Sequence, residues 1–155
     1  VVHGQPVLGV VLAPALGPNG RLFAGAFGHG AWLEDGAGRR PIACRPVPAE
    51  GLTVVASRSH GDARTEAFIS EREGDAMRAE LGSAVKFGRV AEGEVDIYPR
   101  LSPTSEWDVA AGHAVVTAAG GKVTDSRGQP LHFGLGREDF IVPEFIAWGD
   151  PTAMP

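Results

Sequence analysis

Apolar residues recur at helical spacing in one stretch of this chain more regularly than anywhere else. Trp107, Ala110, Ala111, Ala114, Val115 and Ala118 make one continuous stripe, which predicts a buried helix from Glu106 to the Gly120-Gly121 pair. Alanine favours the helix and lets a neighbouring backbone come close. The two glycines end it, because glycine enters the left-handed conformation of a helix C-cap without penalty. Ser105 and Asp108 stand three apart at its start, the capping-box pattern. Asp108 then has two readings. It complements the helix dipole, worth about 0.3–1 kcal/mol, or it is a hard oxygen ligand or proton acceptor at the edge of a pocket. Spacing alone favours the first.

Shorter apolar runs surround this helix. Val7 to Ala13, β-branched and ended by Pro14, predicts a buried strand. Arg21 to Phe27 predicts a second, and Ala31 to Glu34 a third, with tight turns at Gly28-His29-Gly30 and Asp35-Gly36: an antiparallel meander. Pro41 to Glu50 reads as a surface connection. Leu52 to Ala56 is a strand running into Ser57-Arg58-Ser59-His60. Asp62 opens a helix to about Arg72, with Ala63, Ala67 and Phe68 facing inward. A strand that leads through a polar loop into a helix is where open α/β sheets place ligand groups.

Met77 to Leu81 predicts another strand, followed by a helix from Ala84 to Glu92 with Ser83 at its N-cap and Lys86 in its first turn. Free N–H groups, a hydroxyl and an ammonium converging there would suit a phosphate. Glu94 to Tyr98 alternates polar and apolar, as a half-buried strand does, and Arg100 beyond it could grip a phosphate through its planar fork. Lys122 to Asp125, Phe140 to Val142 and Phe145 to Trp148 complete the strands. Residues 149–155 read as a frayed tail, and residues 1–148 as one structural unit.

The 22 glycines and 12 prolines in 155 residues add many turns to this picture and exclude a helical bundle. A net charge of −5 excludes a dedicated nucleic-acid or membrane-surface binder. No apolar run is long enough for a transmembrane helix. The single cysteine, Cys44, cannot form an internal disulfide and suits a reducing, cytoplasmic setting. The chain opens at Val1 without methionine, directly before a strong strand. The expectation is a missing N-terminal part, because an unprotected strand edge wants a partner.

Trp107-Asp108, Ala110 to Ala114 and Ala119-Gly120-Gly121 together resemble the C-terminal signature of the inositol monophosphatase superfamily. Ser57 to His60, Gly82 to Phe87, Val90 to Gly93 and Tyr98-Pro99-Arg100 resemble successive blocks of its CysQ-type 3′(2′),5′-bisphosphate nucleotidases. The resemblance implies an α/β fold, the C-terminal part of a layered α-β-α-β-α sandwich. It also implies Mg²⁺-dependent hydrolysis of adenosine 3′,5′-bisphosphate, in sulfate assimilation. By match, Asp108 would be a metal ligand, and Ser57, His60, Gly82, Ser83, Lys86 and Arg100 would line the nucleotide and its second phosphate.

The family's glutamate pair and Asp-Pro-x-Asp-Gly-Thr motif do not occur in this chain. One carboxylate does not hold a catalytic Mg²⁺ pair. The chain is therefore expected to be a fragment of an active enzyme, inactive by itself. The alternatives are an inositol or other sugar-phosphate monophosphatase, and an inactive nucleotide-binding remnant.

Overall fold

The computed structural model describes residues 1–57, 62–72, 77–134 and 139–154. The chain enters through a two-residue turn. Val2 and Gln5 exchange both backbone hydrogen bonds, at 2.8 and 3.0 Å, across His3 (φ 48°) and Gly4 (φ 77°). Positive φ at both positions is the geometry of a type I′ hairpin turn. The meander follows as β1 (Leu8–Ala13), β2 (Arg21–Ala26), β3 (Gly30–Asp35) and β4 (Gly38–Ile42), in that spatial order. β4 falls where the sequence predicts no strand. Its Gly-Arg-Arg-Pro-Ile has no apolar alternation, and pairing with β3 places it.

After β5 (Thr53–Ser57) come α1 (Ala63–Arg72), β6 (Met77–Leu81), α2 (Val85–Ala91), β7 (Ile97–Arg100), β8 (Thr104–Ser105) and α3 (Glu106–Ala118). β9 (Lys122–Thr124), β10 (Ile141–Val142) and β11 (Phe145–Trp148) follow. β6, β5, β7, β11 and β9 form a five-stranded sheet in that order, parallel over β6-β5-β7 and antiparallel beyond. α2 and α3 lie between the two sheets, and α1 covers the far side of the five-stranded one. Val55, Tyr98, Phe145 and Ala147 face α2 and α3; Val54, Ile97, Ile146 and Trp148 cluster with Ile69 of α1.

α3 is helical as predicted, but its stripe is phased differently. Val109, Val115 and Val116 are fully buried, while Trp107 is 69% exposed. The alanines do meet the meander. Gly9 and Gly25 are register partners, and a Cβ on them would lie 2.1 Å from the Ala111 carbonyl oxygen and 2.9 Å from the Val115 Cα. The helix backbone lies directly on a glycine-floored groove, so α3 needs small residues there rather than tryptophan. The opposite face packs on α2, where a Cβ at Gly112 would meet the Phe87 ring. Burying each large side chain of this layer contributes about 1.5–3 kcal/mol.

Four further expectations change. β1 is not buried: Gly9 and Val11 point to α3, while Leu8, Val10 and Leu12 are 50–62% exposed on the outer face. In α1, Thr65 and Ile69 are buried, and Ala63 and Ala67 face out. Asp62 does cap α1, accepting from the Arg64 and Thr65 amides at 3.1 and 3.0 Å. The half-buried strand expected at Glu94 to Tyr98 lies three residues later, with Asp96 to Pro99 all buried. The supposed tail is docked: Gly149 donates to the Asp96 carbonyl at 2.7 Å, and Asp150 caps a 3₁₀ turn over Pro151–Ala153.

Candidate active site

β5, β6 and β7 run parallel, so their C-terminal ends open on one side of the sheet, where α/β proteins place ligands. Ser57 ends β5, in register with Leu81 of β6, so Gly82 follows directly beside it. Arg100 ends β7. α3 begins just beyond, carrying Asp108 in its first turn. Lys86, Ser83, Tyr98, Arg100, Thr104 and Asp108 line one cavity of about 260 Å³ at this junction. Larger clefts lie elsewhere, at Leu16 to Ala37, around Arg64 and His132, and between Trp107 and Phe133. In the first two, Arg21 pairs with Glu92, Asp35 with Arg40, and Arg64 with Glu144. The smaller cavity is where a buried ammonium, a half-buried guanidinium and a carboxylate converge.

Ser83 has φ 62°, the left-handed region that a non-glycine residue rarely occupies. The sequence predicts it as a side-chain N-cap. Instead Ala84 holds the cap position of α2, with no side-chain capping bond. Ser83 contributes its carbonyl, which accepts from Lys86 Nζ at 2.9 Å. Lys86 is only 2% exposed, and its ammonium lies 4.8 Å from the centre of the Tyr98 ring. Burial, then the charge of Arg100, lowers its pKa to about 8. α2 has seven residues, so the predicted helix-terminus phosphate site reduces to this side chain and the turn before it.

Tyr98 is buried, and burial pushes its phenol up to about 12. Its ring meets Phe87 and Phe145 at 5.0 and 5.1 Å, both edge-on. Arg100 donates from Nη2 to the Pro103 carbonyl at 3.2 Å. Its Nε is buried without a hydrogen-bond partner, a donor that a native site rarely leaves unused. Asp108 is exposed and accepts from the Thr104 hydroxyl at 3.3 Å. The capping box is absent, because Ser105 makes no side-chain cap bond. With the box absent, Asp108 keeps its carboxylate turned to the cavity.

The cavity thus gathers Ser83, Lys86, Arg100 and Asp108 of the predicted set. Gly82 is exposed at its approach, and Ser57 is placed by its backbone at the end of β5. His60 lies outside the described residues. Tyr98 and Thr104 were missed as site residues. Tyr98, the chain's single tyrosine, stands in a quoted block but reads from alternation as an ordinary strand residue.

The chain matches the Inositol monophosphatase family over residues 1–149. It belongs to that family. It is 43% identical over 143 residues to the 3′(2′),5′-bisphosphate nucleotidase CysQ of Escherichia coli K12, covering 92% of this chain and 55% of that protein. The crystal structure of CysQ from Bacteroides thetaiotaomicron superposes with a TM-score of 0.83 at 32% identity, over 94% of this chain and 59% of that one. An inositol monophosphatase from Anabaena superposes with a TM-score of 0.73 at 28% identity, over 96% and 58%. The chain spans about half the length of the curated relatives it matches. Its mixed sheets and intervening helices are the α/β fold of inositol monophosphatase-like structures.

Proposed function

We propose that this chain is the nucleotide-holding, C-terminal portion (residues 1–148) of a Mg²⁺-dependent 3′(2′),5′-bisphosphate nucleotidase. The observation that carries the reading is the convergence of a buried ammonium, Lys86, and a half-buried guanidinium, Arg100, with a single exposed carboxylate, Asp108, in one cavity. Two cations exceed what one phosphate group beside a metal needs, and they suit a substrate with a second phosphate. The CysQ relatives carry the matching activity in their names. In adenosine 3′,5′-bisphosphate, water would add to the 3′ phosphorus, the P–O bond to the ribose would break, and AMP and phosphate would leave.

Asp108 would supply one Mg²⁺ ligand, and the bound ion would polarise the phosphoryl group. The described residues alone do not make up the site. No group of three or more His, Cys, Asp or Glu among them could hold a metal, whereas each Mg²⁺ uses one or two carboxylates plus substrate oxygens. The larger-domain reading gains support from β1, whose free edge and exposed Leu8, Val10 and Leu12 adjoin the hairpin turn at His3-Gly4. Cytoplasmic placement belongs to the same proposal; no described helix is long and apolar enough to cross a membrane.

Two assays test the reading. The 155-residue chain should release no phosphate from adenosine 3′,5′-bisphosphate above a blank; chelator-sensitive release would overturn the fragment reading. In the complete protein, kcat/KM for the nucleotide should exceed that for inositol 1-phosphate by a large factor. Comparable values would move the assignment to an inositol or sugar-phosphate monophosphatase, and no turnover of either to an inactive nucleotide-binding remnant.

A further inference from the structure

We propose that Tyr98 is the positioning residue of the anion subsite: its ring face and the left-handed Ser83 carbonyl clamp Lys86, beside Arg100, so that the cavity selects a ligand bearing a second phosphate. The proposal rests on the functional reading above and deepens it. A lysine side chain has four rotatable bonds and gains little selectivity unless something fixes its ammonium. Here two contacts do so. The Ser83 carbonyl accepts one N–H at 2.9 Å, and the Tyr98 ring lies 4.8 Å below the nitrogen, within the range of a cation–π contact. Ser83 reaches its carbonyl only by adopting φ 62°, and such strain persists only where the surroundings enforce it.

Tyr98 cannot itself drift. Phe87 and Phe145 hold its ring edge-on from two sides, and both are at most 1% exposed. Arg100 follows Tyr98 by two residues on β7 and so shares its sheet face, and both line the cavity. An anion entering the cavity meets both cations in its lining. The buried, unpartnered Nε of Arg100 leaves a donor for that anion. Its chemistry is a phosphate group: compact, doubly charged and rich in acceptors.

The chain has two lysines, Lys86 and Lys122, so ¹³Cε-lysine labelling gives two NMR resonances with exposed Lys122 as internal reference. The Lys86 resonance should be displaced upfield by the Tyr98 ring current. Both inorganic phosphate and adenosine 3′,5′-bisphosphate should move it and leave Lys122 in place. Tyr98→Phe keeps the ring and should keep the displacement. Tyr98→Leu should lose the displacement and weaken the bisphosphate by about tenfold. Because Tyr98→Leu also disturbs the aromatic stack, Lys86→Met serves as the second variant and should weaken the bisphosphate at least as much. Coincident Lys86 and Lys122 resonances in the parent chain would overturn the clamp. So would unchanged bisphosphate affinity in Tyr98→Leu or Lys86→Met. A displaced Lys86 that neither anion moves would instead overturn the anion subsite, and with it the two-phosphate reading, while leaving the clamp standing.

Discussion

Two charged clusters, at the entry and the exit of β7, are built in opposite ways. Asp96, 2% exposed at the entry to β7, accepts from Arg45 Nε and Nη2 at 2.7 and 2.8 Å and from the Thr53 amide at 2.6 Å. Its own amide donates to the Thr53 carbonyl, and its carbonyl accepts from Gly149. Arg45, Thr53 and Gly149 come from three separate segments, so Asp96 ties the 43–50 connection, β5 and the C-terminal end together. At the exit of β7, Lys86 and Arg100 face a cavity, with one donor unused and the carboxylate of Asp108 turned outward. The same residue types serve stability at one end of a strand and ligand binding at the other. What separates them is whether the hydrogen-bonding capacity is met inside the protein.

The sharpest way to break that distinction is to neutralise one carboxylate from each cluster. Asp108→Asn, in the complete protein, should lower turnover by orders of magnitude and weaken its Mg²⁺ dependence. Its stability should stay within about 1 kcal/mol of the parent, because the group is exposed and its contact is a 3.3 Å bond to Thr104. Thermal unfolding beside a Mg²⁺ titration of activity reads both. Normal activity at low Mg²⁺ in a folded variant would reduce Asp108 to a helix-dipole partner.

Asp96→Ala should do the reverse. It leaves the buried Thr53 amide and the Arg45 guanidinium, whose side chain is 35% exposed, without this acceptor, a loss of about 1–3 kcal/mol. Denaturant unfolding should show it as a lower midpoint with an unchanged slope. Molecules that remain folded should bind adenosine 3′,5′-bisphosphate as the parent does. A selective loss of binding without loss of stability would merge the two clusters into one site.

The contrast also marks what the sequence could carry. The helix α3 and the first three strands of the meander were legible, because period 3.6, period 2 and glycine punctuation are local signals. The phase of α3 was not: alanine scores as apolar on every face, and only Gly9 and Gly25 across the sheet decide that Ala111 and Val115 lie inward while Trp107 does not. β1 read as a buried run because Leu8, Val10 and Leu12 are apolar on a face that nothing among the described residues covers. Asp96 went unremarked, since its partner Arg45 stands 51 residues away. Lys86, Arg100 and Asp108 were found through motif blocks. Tyr98 was not, because its role comes from a ring lying under a lysine twelve residues earlier.

His113 extends the comparison to a buried base that belongs to neither cluster. It is 8% exposed, edge-on to Phe133 at 5.6 Å, and burial lowers its pKa to about 4. The unfolded chain binds its proton near pH 6.5, so between there and about pH 4 the unfolded state holds more protons. Stability is therefore complete above pH 6.5 and falls as pH drops through that window, by a few kcal/mol at most. His113→Gln should flatten the acid limb of stability against pH between about 6.5 and 4. An unchanged acid limb would mean that a water or another group shelters the charged ring.

The smallest stability effect should come from a charged residue as deeply buried as Asp96. Lys86→Met removes an ammonium that has lost its hydration, and desolvation of that kind costs several kcal/mol. The same change also removes a charge-assisted bond to the Ser83 carbonyl, about 1.5–3 kcal/mol, and the contact with the Tyr98 ring, about 0.5–2 kcal/mol. These terms oppose one another, and methionine fills nearly the same volume with no polar atom to satisfy. The net change in unfolding free energy should be within about 1 kcal/mol, of either sign, while binding of adenosine 3′,5′-bisphosphate is lost. Asp96→Asn offers the matched control: it keeps the shape of Asp96 but costs stability, because the second oxygen no longer accepts from Arg45 or Thr53. If Lys86→Met destabilises the chain more than Asp96→Asn does, Lys86 is a structural clip like Asp96, and the cavity at the exit of β7 is no more a ligand site than the closed cluster at its entry.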